Sequence, residues 1–107
     1  MVALLVFTNL PDRESADRLA RGVVEARVAA CVNVLSSARS VYRWKGAVET
    51  AEEYPVLIKT AADRYADLEK TIRALHPYEL PEIVAVRIEA GSADYLAWVE
   101  SETRPRP

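Results

Sequence analysis

SVYRWKGAVETAEEYPVLI, residues 40–58, holds two strands and the turn that joins them. Ser40 to Trp44 alternates as a strand does, and Lys45-Gly46 is a turn signal. Val48 follows, then the charged stretch Glu49 to Glu53, then Tyr54-Pro55-Val56-Leu57-Ile58. Pro55 has no N–H for a ladder, so it belongs at a sheet edge or a bulge. The segment predicts a long hairpin that protrudes beyond the sheet.

Working outward, Val28 to Val34 is an apolar run that reads as a strand, ended by Ser36-Ser37-Ala38 as a turn or bulge. Alternation puts Ala30, Val32 and Val34 on one side, and Ala29, Cys31 and Asn33 on the other. Before it, Ala16, Leu19, Ala20, Val23 and Val24 recur at helical spacing among charged residues, which gives an amphipathic helix. Asp12 is placed to cap its N-terminus. Ala3 to Thr8 is a continuous apolar strand, and nothing in it resembles a signal peptide.

Downstream of the hairpin, Asp63 is a candidate cap for a second helix with a stripe of Tyr65, Leu68, Ile72 and Leu75. His76 lies at its end and Pro77 stops it. Ile83 to Val86 forms another strand. A short helix after Gly91-Ser92 offers Tyr95, Leu96, Trp98 and Val99 for burial, and residues 103–107 are expected to fray. The order is β-α-β-β-α-β with a C-terminal helix, an α+β chain of the ferredoxin-like split βαβ type. Two helices on one sheet face leave the other face open. The strands carry apolar residues at both parities, so a second subunit is the natural cover.

Composition narrows the function. The 107 residues are 50% hydrophobic and make one domain, residues 1–107. With 14 basic and 16 acidic residues there is no basic excess for phosphate neutralisation, which argues against nucleic acid as a partner. No apolar run approaches the roughly 20 residues that span a bilayer, so a membrane role is not expected and a cytoplasmic location follows by elimination. The single cysteine, Cys31, excludes an internal disulfide. Phosphate loop, nucleophile elbow and zinc-protease helix are all missing, so no enzymatic activity is expected. Acylphosphatase-type chemistry would use an Arg–Asn pair; Arg39 and Asn33 exist, but without the glycine-rich loop.

Several strings then converge. They are Thr8 to Pro11, Ala29-Ala30-Cys31-Val32-Asn33, Ser40 to Gly46, Ile58-Lys59-Thr60, His76-Pro77-Tyr78-Glu79-Leu80-Pro81-Glu82-Ile83, and Asp94-Tyr95-Leu96-Ala97-Trp98. In order and spacing the chain resembles the CutA (divalent-cation tolerance) family along almost its whole length. The resemblance implies a ferredoxin-like subunit, a tight homotrimer with hairpins lying along neighbours, and a part in copper tolerance, with copper bound in some members. It implies no obligatory cofactor. The trimer is also similar to PII-type signalling proteins, which would bind a small anionic ligand or a partner protein at the subunit clefts. Phe7 and Leu75 stand where some copper-binding members carry a cysteine and a second histidine, so of those three ligands only His76 remains.

Metal candidates are His76, Glu79, Glu82 and Cys31, combining imidazole, carboxylate and thiolate donors for copper or another divalent cation. Each has a plainer reading. Cys31 suits a small buried strand residue, and His76 suits a helix end bonding the last carbonyls. The 76–82 loop suits a rigid connector in which Glu82 pairs with Lys59. Tyr42, Arg43, Trp44, Lys59, Tyr78 and Trp98 are candidates for a ligand cleft; the aromatics and Arg43 would equally serve packing between subunits.

Overall fold

The computed structural model describes residues 1–105. The elements run β1 (Ala3–Leu10), α1 (Arg13–Glu25), β2 (Cys31–Val34), β3 (Ala38–Trp44), β4 (Ala47–Ala61), a 3-10 turn (Ala62–Arg64), α2 (Tyr65–Leu75), β5 (Val84–Arg87) and α3 (Ala93–Glu102). The chain is α+β. The sheet order is β2-β4-β1-β5, with every pairing antiparallel, and β3 also pairs β4. Thus β2 and β3 are two lengths of one edge, interrupted at Leu35–Ser37 and laid against a single 15-residue strand.

Pro55 sits inside that long strand, not at the edge of the sheet. The Leu35 N–H donates to its carbonyl, so the side of Pro55 that lacks a donor faces the interruption between β2 and β3. Of the two placements expected, the break in the partner strand is the one used. At the tip, Lys45 and Gly46 both have positive φ, 49° and 85°, the backbone of a tight two-residue hairpin turn. Beyond Glu52 the hairpin loses the cover of the helices, and residues 41–50 are exposed on both faces.

Helices α1 and α2 cover one sheet face. Val6 and Leu10 from β1, Val56 and Ile58 from β4, Leu19 and Val23 from α1, and Leu68 and Ile72 from α2 are fully buried together. Asp12 caps α1 as expected, its carboxylate accepting the Ser15 N–H at 2.7 Å. Asp63 does not cap α2. Its carboxylate takes two hydrogen bonds from the Arg104 guanidinium, at 2.7 and 2.9 Å. A planar fork of donors is a better partner for a carboxylate than the N–H groups of a short 3-10 turn.

That pair also revises the tail. Thr103 is fully buried, its hydroxyl donating to the Val99 carbonyl. Arg27, closing α1 at a φ of 61°, donates to the carbonyls of Arg104 and Ser101. The chain is therefore anchored through Arg104, and residues 106–107 lie outside the described residues. On α3 only Val99 is buried; Leu96 is half-buried, and Tyr95 and Trp98 are exposed, against expectation. A ten-residue helix at the margin of a small sheet has room to bury one narrow stripe.

The second face is open. Leu5, Phe7 and Leu57 point to it half-buried, beside Val84 and Val86 at 50% and 52% exposure. No described helix is long and apolar enough to cross a membrane. One core position is poorly satisfied. Thr8 is buried, and its hydroxyl has no hydrogen-bond partner among the described residues. Thr8→Val is expected to raise stability by about 1 kcal/mol, because it removes a desolvated hydroxyl while keeping its shape. A urea midpoint that falls instead would show that the hydroxyl has a partner in the assembled protein.

Candidate functional site

The loop from α2 to β5 folds back over the base of the hairpin. His76 opens it with extended backbone, as a residue before proline should. The residue is 8% exposed. Nδ1 accepts the Tyr78 N–H at 3.2 Å, and Nε2 lies 2.7 Å from the Asn9 carbonyl. An Nδ1 that accepts leaves the proton on Nε2, which donates to Asn9. The imidazole is thus a neutral strut between β1 and the loop, with no lone pair facing outward. Burial holds its pKa below the usual histidine value, opposed by the Asn9 carbonyl and by the charge of Glu53.

Tyr78 stacks at a tilt on His76, ring centroids 4.9 Å apart, and donates its hydroxyl to Glu53 at 2.8 Å. Burial and that hydrogen bond push the phenol well above its ordinary pKa. Glu53 lies in β4 and is only 8% exposed. The hairpin register explains its direction. Counting back from the turn, Trp44 faces Ala47, Tyr42 faces Glu49, Ser40 faces Ala51 and Ala38 faces Glu53. Glu53 therefore shares a face with Ser40, Tyr42 and Trp44.

Together these groups wall a cleft of about 760 Å³ between hairpin and loop. Tyr42, Trp44 and Tyr78 supply aromatic surface, Leu80 and Pro81 aliphatic surface, and Glu53, Glu79 and Glu82 carboxylates. Asn9 completes it, donating to Glu82 at 2.9 Å. No lysine, arginine or histidine is among the lining residues.

The residues expected from sequence thus part company. Glu79, Glu82, Tyr42, Trp44 and Tyr78 meet in the cleft. Arg43, next to Tyr42 on the strand, points to the reverse face of the hairpin. Lys59 does not reach Glu82; it pairs with Asn33, further along β4 from the cleft, and lies 3.9 Å from the Cys31 sulfur. Cys31 is half-buried there, with the Tyr95 phenol beside it. Trp98 packs on Tyr95, ring centroids 5.5 Å apart, away from the cleft. Asn9, Ser40, Val41, Glu53, Leu80 and Pro81 also line the cleft without having been candidates, and of these Glu53 and Asn9 make its side-chain hydrogen bonds. The register of the hairpin, counted from Lys45-Gly46, was the signal for Glu53; Asn9 carried none.

Among the described residues no three His, Cys, Asp or Glu side chains converge as a metal-binding group. With His76 occupied at both nitrogens and Cys31 away along β2, outside the cleft lining, the donors of one chain do not fit a resident copper centre.

Comparison with known proteins places this geometry. A family model described as CutA1 divalent ion tolerance protein matches residues 4–102. The chain is 40% identical over 99 residues to the divalent-cation tolerance protein CutA of Thermus thermophilus, covering 92% of this chain and 96% of that one. It is 40% identical over 97 residues to protein CutA of mouse, covering 91% of this chain but 55% of that longer protein. Among solved structures, CutA of Xylella fastidiosa superposes with a TM-score of 0.93 at 42% identity, covering 95% of this chain and 98% of that chain. CutA1 of Oryza sativa superposes with a TM-score of 0.94 at 35% identity, covering 97% and 95%. With sequence and backbone agreeing from β1 to the end of α3, the chain belongs to the CutA1 family of divalent ion tolerance proteins.

Proposed function

We propose that this protein serves divalent-cation tolerance as a non-enzymatic, ferredoxin-like homotrimer whose cleft gathers cations, and that it does not act by housing copper. The observation that carries this reading is the cleft's charge: three carboxylates and no basic residue in its lining. Such a lining concentrates cations and repels anions. A trimeric signalling role of the PII kind keeps the same architecture, but here it would need a cationic ligand, since an anion would meet Glu53, Glu79 and Glu82. Trimer formation is favoured by the bare apolar sheet face and by a hairpin exposed on both sides.

Carboxylate oxygens are hard donors and hold divalent ions through partly hydrated shells. Equilibrium dialysis against Cu(II), Cu(I) and Zn(II) tests the reading. Binding of the divalent ions is expected at roughly millimolar concentration, weakened when Glu53 and Glu79 become Gln and unchanged in Cys31→Ser. Stoichiometric copper binding below micromolar concentration, lost in Cys31→Ser, would sink it.

A further inference from the structure

We infer that the ligand of the cleft is an organic cation, an aliphatic diamine or polyamine, more than a bare metal ion. The inference deepens the cation-gathering reading above and rests on it.

Three observations lead there. The first concerns Glu53. The residue is nine-tenths buried, and its carboxylate accepts one hydrogen bond from the Tyr78 hydroxyl and has no cationic partner among the described residues. A buried carboxylate without a counter-charge is expensive, and an ammonium group entering the cleft would supply both the charge and further N–H donors.

The second is the spread of the charges. Glu53, Glu79 and Glu82 line one cleft, yet do not converge as a metal-binding group. A metal ion needs its donors gathered around one point. Charges set apart around a cavity suit a ligand whose own charges are set apart. Glu53 is deep, whereas Glu79 and Glu82 are exposed on the loop.

The third is the wall between them. Tyr42, Trp44 and Tyr78 are faces for a cation and for methylene groups alike. Lys45 already places its ammonium 5.5 Å from the Trp44 ring centroid, so this ring accepts an alkylammonium within the chain itself. A volume of about 760 Å³ is also that of a small-molecule site and far exceeds a hydrated ion's need.

Isothermal titration of the full chain with 1,4-diaminobutane tests this, with butylamine and Zn(II) as separate arms and mass by light scattering as a control. Glu53→Gln keeps a hydrogen-bond acceptor for Tyr78 and should fold. Expected are saturable diamine binding, about tenfold weaker binding of butylamine, and at least about tenfold weaker diamine binding by Glu53→Gln. Trp44→Leu should weaken diamine and butylamine alike and leave Zn(II) unaffected. If Zn(II) binds through Glu53 and the diamine does not, the organic ligand is wrong while the cation-gathering cleft survives. If neither binds and Glu53→Gln changes the mass of the assembly, the cleft is a subunit contact and both readings fall.

Discussion

His76→Ala is expected to lower stability by about 2–3 kcal/mol, among the larger effects of any single substitution near the cleft. The ring is buried, and its removal strands the Asn9 carbonyl and the Tyr78 N–H together. For a domain of this size that corresponds to a fall of roughly 10 °C or more in the melting midpoint. The same ring sets a pH dependence. Its folded pKa is lowered, chiefly by burial, so the unfolded chain binds the proton first. The stability it contributes is complete above the unfolded pKa of about 6.5 and is lost as the pH falls from there through the folded value. Protonation of Nδ1 would also remove the acceptor of the Tyr78 N–H. Urea midpoints between pH 7.5 and 5 should therefore decline in the wild type and decline less in His76→Gln. A flat wild-type profile over that range, or an alanine variant as stable as the parent, would mean that the imidazole is not a strut.

The double substitution Val41→Glu with Val48→Glu should leave a folded single chain in place of a trimer. Both valines are more than 60% exposed, at 65% and 63%. The register puts Val41 opposite Thr50 and Val48 opposite Arg43, so they lie diagonally on the hairpin face opposite to that of Tyr42, Trp44 and Glu53, with Val41 also bordering the cleft. Nothing among the described residues covers them, and the main core lies in the sheet and helices below. Two carboxylates there should not disturb that core, but should be intolerable in a packed subunit contact. Far-UV circular dichroism should be retained while the mass drops to the single-chain value.

How much of this was legible in the sequence depended on the range of the interaction. The hairpin, the Asp12 cap and the elements of the sheet rest on neighbours in sequence, and Lys45-Gly46 even set the register. Partnerships across the fold were not legible. Asp63 looked like a cap because its partner, Arg104, lies 41 residues on, in a segment that read as a loose tail. Glu82 looked like a mate for Lys59, but the two lie apart: Glu82 is bound by Asn9 and Lys59 by Asn33. Glu53 was hidden at the end of a charged run from Glu49; only the return of the Tyr78 loop buries it. His76 and Cys31 looked like ligands by chemistry alone. Whether a lone pair faces outward is a matter of geometry, and here the hydrogen bonds of His76 decide it.

On the function proposed above, the working unit is three chains, with the cleft at the base of each hairpin as its ligand site. Size-exclusion chromatography with light scattering on the wild-type protein at micromolar concentration tests it most directly. A single species of three times the 11.9 kDa chain mass is expected, shifted to one chain mass by Val41→Glu with Val48→Glu. A wild-type species of 11.9 kDa would contradict it, since the bare sheet face and the hairpin would then stand in water with nothing to cover them.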